Sequence, residues 1–153
     1  MGVELTHEEI GDFLKNGHTL IFTTIRASGE PFATPMWYAY VDGSFYISTL
    51  GRSAKVQHVR RDPRVCCTVE TGDAWIDLKC VIANCDAEIL TDEETFERIG
   101  VEMDRKYASF RPPQTRMPDA TKQHYSGGRV VVKCTPRPGE IRSWYNRKIR
   151  MRA

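Results

Sequence analysis

The stretch "TTIRASGEPFATPMWYAYVDGSFYIST", Thr23 to Thr49, decides the fold. β-Branched and aromatic residues fill three apolar runs, and two turn signals divide them. Read outward from it, "HTLIFTTIR" (18–26) is a first strand, "ASGEP" a turn and "FATPMWYAY" (32–40) a second strand. Asp42-Gly43 is the dipeptide of a two-residue hairpin and leads into a third strand, "SFYISTL" (44–50). Pro35 inside the second strand cannot donate to a ladder, so that strand is expected at an edge, at a bulge or at a break in pairing.

Upstream, Thr6-His7-Glu8-Glu9 is a capping box, and Ile10, Phe13 and Leu14 recur at helical spacing, which predicts a short helix over 6–16. Downstream, "GRSAKVQHVRRDPRV" gives a helix over 53–61 that Asp62-Pro63 ends, followed by a fourth strand, "RVCCTVE". "AWIDLKCVIANCDAEIL" (74–90) suits one bent strand, with Trp75 in the core. Thr91-Asp92-Glu93-Glu94 reads as a second capping box, opening a helix to Tyr107 with Phe96, Ile99, Val101 and Met103 inward. Residues 109–128 carry turn and breaker residues throughout and read as a long loop. "RVVVKCTP" and "EIRSW" finish as two strands, with a basic tail over 145–153. Six or seven short strands in hairpins, with helices at the periphery, predict a mainly β, small antiparallel barrel in a single domain over 1–153.

Composition excludes several classes. Of 153 residues, 41% are hydrophobic and 27% charged, which is ordinary for a globular chain. No apolar run reaches the length of a membrane span, and "MGVELTHEEI" is too polar and acidic for a secretion signal, so a cytoplasmic protein without a membrane partner is expected. A net charge of +2 does not imply nucleic acid. Five cysteines with no C-x-x-C pair, and Cys66 and Cys67 pointing to opposite faces of a strand, read as reduced thiols and assign no metal site. No Ser-His-Asp or H-E-x-x-H constellation is present, and His7, His18, His58 and His124 are scattered, so no catalytic residue is assigned. His124, in the long loop, is kept as a possible substrate contact.

Arg52 and Lys55 pose the chemical question. Ser53 is placed as the N-cap of the 53–61 helix, and cations at that end oppose the helix dipole unless an anion neutralises them. A phosphate would take the Ser53 hydroxyl, backbone N–H groups and two charge-assisted contacts. The other reading is a solvated helix face with its cations in water. Trp37 and Tyr38 alternate across their strand, so one faces the core and the other a groove. Asp62, among Arg60, Arg61 and Arg64, is read as a structural clamp between helix and barrel.

In the order and spacing of "TTIRASGEPFATPMWYAYVDGSFYIST", "GRSAKVQHVRRDPRV" and the late "IRSWYNRK", the chain resembles the flavin-binding split barrels related to pyridoxamine phosphate oxidase. The "MWYAYVDG" and "RSW-x-x-RK" pieces are most similar to the actinobacterial branch, many of whose members use the deazaflavin coenzyme F-420. The resemblance implies an FMN-binding type of split barrel, a homodimer, and a cofactor in a groove between the two copies. It places the cofactor phosphate at Arg52, Ser53 and Lys55, and the ring along Thr34, Pro35, Met36 and Trp37 and against Ser48 and Thr49. The partner copy would add Trp144 and Arg147 or Lys148. The second strand lacks the basic residues that grip FMN phosphate in the vitamin-B6 oxidases, and Tyr145 stands where the family carries an acid. Vitamin-B6 oxidation is therefore not expected.

The sequence reading is thus an oxidoreductase binding coenzyme F-420, or FMN next, and moving hydride to or from a small unsaturated or quinone-like compound. F-420 is favoured because Arg60 or Arg61 could meet the glutamates of its tail, which FMN lacks. The alternative is a non-catalytic flavin, deazaflavin or haem carrier. A nucleic-acid-binding barrel, suggested by the aromatics and cations of "RSWYNRKIRMR", is disfavoured by the near-neutral charge.

Overall fold

The computed structural model of the chain describes residues 2–125 and 127–150. Seven strands form one antiparallel sheet: β1 (Leu20–Ile25), β2 (Pro31–Met36), β3 (Ala39–Val41), β4 (Ser44–Leu50), β5 (Arg64–Thr71), β6 (Lys79–Leu90) and β7 (Arg129–Tyr145). Four helices accompany them: α1 (His7–Asn16), α2 (Ala54–Arg61), α3 (Glu93–Tyr107) and α4 (Asp119–Tyr125). The sheet order is β2-β1-β5-β6-β7-β4-β3. Strands β2 and β3, two residues apart in sequence, therefore lie at opposite margins of the sheet. The chain through Trp37 and Tyr38 curls the sheet on itself.

That connection corrects the reading of 32–40 as one strand. The strand breaks at Trp37-Tyr38 because Tyr38 leaves the pleat for the core. Its hydroxyl donates to the Leu14 carbonyl, and its backbone N–H donates to the Tyr107 hydroxyl at 3.2 Å. The chain then exchanges β1 for β4 as its partner. Pro35 sits on the edge strand β2, where its missing N–H leaves no ladder incomplete on the open side. Asp42 and Gly43 take φ of 50° and 78°, the left-handed values that a two-residue hairpin between Val41 and Ser44 requires.

The barrel interior collects Leu14, Leu20, Phe22, Tyr38, Phe45, Ile47 and Val81, with the thiols of Cys67, Cys85 and Cys134 among them. All five cysteines are free, and only Cys66 is not buried. A second cluster lies on the outer face, where Ile99, Met103 and Tyr107 of α3 cover Tyr46 of β4 and Val131 of β7. The α1 capping box forms as read, Glu9 N–H donating to Thr6 Oγ1 at 3.2 Å and Thr6 N–H to Glu9 Oε1 at 3.0 Å.

Other expectations are corrected. Helix α3 is capped by Asp92, which accepts from Thr95 N–H at 3.0 Å, one residue later than the box had it. Val101 is 65% exposed, because the apolar stripe of α3 runs through Ile99, Met103 and Tyr107 at spacing four and leaves it outside. Trp75, 58% exposed, lies in a short 3-10 turn rather than the core. The two late strands are one, β7; a register shift against β6 between Ala83 and Cys85 absorbs Pro136 and the turn-prone residues after it. The 109–128 segment is not a plain loop. It holds α4, which follows Pro118, whose carbonyl accepts from Lys122 N–H at 3.0 Å. Of the basic tail, 151–153 lie outside the described residues.

Candidate functional site

β3 covers only Ser44 to Tyr46 of β4, so Ile47 to Leu50 have no strand on that side. The outer edge of β2 is open too. Pro35, Met36 and Trp37 from one margin and Ser48 from the other line a common cavity, so the two open edges face one gap, the split of the barrel. β4 runs from this gap straight into α2. Gly51 N–H donates to the Gly128 carbonyl at 2.7 Å and Ser53 N–H to the Leu50 carbonyl at 3.0 Å, fixing the turn between them. A Cβ at Gly51 would stand 3.0 Å from the Gly128 carbonyl oxygen, so glycine permits this close approach.

Ser53 occupies the N-cap position of α2 but makes no side-chain cap bond. Its Oγ is buried and has no hydrogen-bond partner among the described residues, and the same holds for Thr34 Oγ1 on β2. Buried polar atoms without partners are rare and point to something missing from the protein alone. Lys55 is half-buried and forms no ion pair among the described residues, and burial lowers its ammonium pKa. These three groups offer two hydroxyls and a poorly solvated cation with nothing of the chain's own to receive them.

The two cations of the helix start diverge. Arg52 is exposed and donates to the His124 carbonyl of α4 at 2.8 Å. The rest of α2 is tied to the sheet: His58 Nδ1 is 2.8 Å from Thr24 Oγ1, His58 meets Phe32 edge-on, and Arg61 donates to the Ile25 carbonyl at 3.1 Å. Arg60, on the last turn, is exposed. Asp62 clamps to Arg64, the first residue of β5, through two side-chain bonds of 3.0 and 2.8 Å. Those bonds bring its carboxyl down to about 2. The clamp joins the end of α2 to the sheet, as the sequence suggested.

Thr49 is buried and Ser48 half-buried, the latter held by Arg129, which donates to its carbonyl at 3.1 Å and its Oγ at 3.3 Å. Of the aromatic pair, Tyr38 is in the core, and Trp37 stacks on Tyr107 at 4.5 Å and lines the cavity. Trp144 and Arg147 are not at this gap. Trp144 lies at the far end of the 17-residue β7, opposite Cys80, and Arg147 is bound to Asp77 at 2.5 Å. Lys148 donates to Glu9 Oε1 at 2.7 Å. Within one copy these residues cannot meet the split.

The cavity of about 920 Å³ continues from the split beneath α3. Sequence reasoning missed this part. Arg111 and Lys122 lay in a segment whose prolines masked its structure, and Arg129 looked like an ordinary strand start. The helical spacing of Phe96, Ile99 and Met103 marked an inward face, yet it gave no sign that this face also walls a cavity.

Comparison with known proteins agrees with this architecture. The sequence matches the pyridoxamine 5'-phosphate oxidase family over residues 6–143. The conserved hypothetical protein Rv2991 of Mycobacterium tuberculosis has 32% identity and a TM-score of 0.79, covering 99% of this chain and 93% of its own. An FAD-binding protein of Mesorhizobium loti has 19% identity, a TM-score of 0.65 and coverages of 94% and 97%. An F420 reductase has 18% identity, a TM-score of 0.63 and coverages of 82% and 91%; these last two show the fold alone. No curated protein sequence matches. A match over nearly the whole chain, a seven-stranded curled sheet and an open split at its margin together place this protein in the pyridoxamine 5'-phosphate oxidase family of split barrels.

Proposed function

We propose that this protein is an oxidoreductase that binds coenzyme F-420, or failing that FMN, at the split and transfers hydride to or from a small unsaturated or quinone-like compound. The observation that carries the reading is the trio of Thr34 Oγ1, Ser53 Oγ and Lys55, two buried hydroxyls without a partner among the described residues and a half-buried cation. Ser53 and the first N–H groups of α2 would bind a phosphate, with Lys55 supplying the counter-charge, while Arg52 is held on the His124 carbonyl. Thr34 to Trp37 and Ser48-Thr49 would present backbone and side-chain atoms to the ring. A bound flavin or deazaflavin supplies the hydride chemistry itself. The chain's task is to orient the ring, hold a substrate against it and limit water, which explains why no acid–base constellation is needed.

F-420 is preferred because Arg60 stands exposed on the same helix, where an acidic tail extending past the phosphate would find a cation. The unit is proposed to be a cytoplasmic homodimer. Trp144 and Ile141, exposed on the far half of β7, would meet the second copy and bring Trp144 and Arg147 to its cofactor. Fluorescence titration with FMN and with F-420 tests the cofactor. Binding of one names it, and binding of neither removes the proposal. Anaerobic oxidation of the reduced complex by menadione separates an enzyme, which turns over, from a carrier, which does not.

A further inference from the structure

Residues 37 and 38 join β2 to β3 and belong to neither strand, so no ladder receives the backbone of Tyr38. Tyr38 is fully buried, and its N–H and C=O must find partners or bear the cost of lost water. Both are met from the end of α3. The Tyr107 hydroxyl accepts from Tyr38 N–H at 3.2 Å, and Lys106 Nζ donates to the Tyr38 carbonyl at 3.0 Å. The same ammonium lies 3.6 Å from the centroid of the Tyr38 ring, a cation–π contact that adds to the hold.

Tyr107 reaches further than this crossover. Its hydroxyl donates to the His18 carbonyl at 2.6 Å, which ties the crossover to the residues leading into β1. Its ring, fully buried, carries the Trp37 indole in a parallel stack, 4.5 Å between centroids with the planes 8° apart. A ring whose hydroxyl is bonded on two sides gives the indole a fixed seat. Trp37 is where this network reaches the site. It lines the cavity at the split with Pro35 and Met36, and the cavity runs on to its apolar part at Phe96, Ile99, Met103 and Val131.

We infer that Tyr107 is a positioning residue of the site: it fixes the Trp37 indole as an aromatic wall of the cavity, while Lys106 holds the Tyr38 carbonyl beside it. That a coenzyme ring meets this wall rests on the proposed cofactor site; the hold on Trp37 does not.

The test reads Trp37 directly. In the full chain carrying Trp75→Phe and Trp144→Phe, Trp37 is the one tryptophan left. Without coenzyme, its quenching by acrylamide should rise when Tyr107→Phe removes the hydroxyl and keeps the ring. With all three tryptophans present, the same substitution should weaken binding of FMN or F-420, whichever binds, by about two- to tenfold, the worth of one aromatic stacking contact. Val81→Ala controls for lost stability alone. Val81 is fully buried in the barrel interior, so its truncation should lower the melting temperature and move neither reading. Lys106→Met should shift both readings in the same direction by less, and it decides the matter should Tyr107→Phe fail to fold. Unchanged quenching in both variants, raised quenching with undiminished affinity, or an equal loss of affinity in Val81→Ala would each overturn the inference. A protein that binds neither coenzyme would remove the cofactor reading. Raised quenching in Tyr107→Phe would then still support the hold on Trp37, and unchanged quenching would overturn it.

Discussion

Ser53→Ala is the perturbation whose sign is most informative. A serine that caps a helix loses about 1 kcal/mol of stability when replaced by alanine. Ser53 holds the N-cap position but makes no cap bond, and its Oγ is buried without a partner among the described residues. A buried unsatisfied hydroxyl carries a desolvation cost of roughly 1–3 kcal/mol, most of which alanine does not incur. Without coenzyme, Ser53→Ala should therefore be neutral or more stable by up to about 1 kcal/mol, the reverse of a cap deletion. With coenzyme present the sign should invert. A hydrogen bond to a charged phosphate contributes about 1.5–3 kcal/mol, so affinity should fall by roughly 10- to 150-fold, and the stabilisation gained on saturation should shrink accordingly. Urea unfolding of both proteins at one protein concentration, with and without coenzyme, measures all four states. A variant less stable by 1 kcal/mol without coenzyme and undiminished in coenzyme affinity would show that Ser53 is an ordinary cap, and the anion site would lose its centre.

Lys55→Met should raise the melting temperature of the coenzyme-free protein, because a half-buried ammonium without a counter-ion among the described residues gives way to a side chain of similar shape; by fluorescence titration it should weaken coenzyme binding by about 1.5–3 kcal/mol. The folded-state carboxyl of Asp62, at about 2, lies below its ordinary 3.8, so its contribution to stability is complete above pH 3.8 and lost as pH falls through about 2. Asp62→Asn should flatten that part of an acid unfolding series, and an unchanged profile would mean that the Arg64 clamp is absent in solution. Gly72→Ala should cost at least about 2 kcal/mol in urea unfolding, since φ is 106° and the new Cβ would fall 2.2 Å from the Asp77 carbonyl oxygen. Arg52→Met should speed amide exchange in α4 about fivefold or less, the worth of one exposed bond to the His124 carbonyl, and unchanged exchange would show that this bond does not hold α4.

Local signals were legible where local chemistry decides the outcome. The Thr6 box, Asp42-Gly43 and the Asp62-Pro63 stop each act within a few residues, and each forms in the structure. The break at Trp37-Tyr38 was not legible, because it depends on Leu14 and Tyr107, 24 and 69 residues distant from Tyr38. Trp75 was misplaced for a related reason. Aromatic content predicts burial on average, but its segment is a tight turn whose residues have no strand to pair with. The proposed phosphate end of the site could be read from residue types at one helix start. The cavity beneath α3 could not, since its walls come from β2, β4, α3, β7 and the segment before α4, and a cavity is a property of their assembly.

The two cations at the start of α2 do different work, and the difference bears on why such a helix start is tolerable. The dipole penalty for an exposed cation is only about 0.3–1 kcal/mol, and Arg52 escapes most of it by turning outward to the His124 carbonyl. Lys55 cannot: half-buried and without an ion pair among the described residues, it bears both the dipole and the loss of water. An anion at the same place would remove both costs and occupy Ser53 Oγ as well, so one ligand resolves three separate unfavourable features. The helix on which Arg52 lands, α4, also carries Lys122 to the cavity. A single short helix thus touches the proposed phosphate end and the apolar end of the site, which gives the arginine a structural reason to point away from the anion that its neighbour would bind.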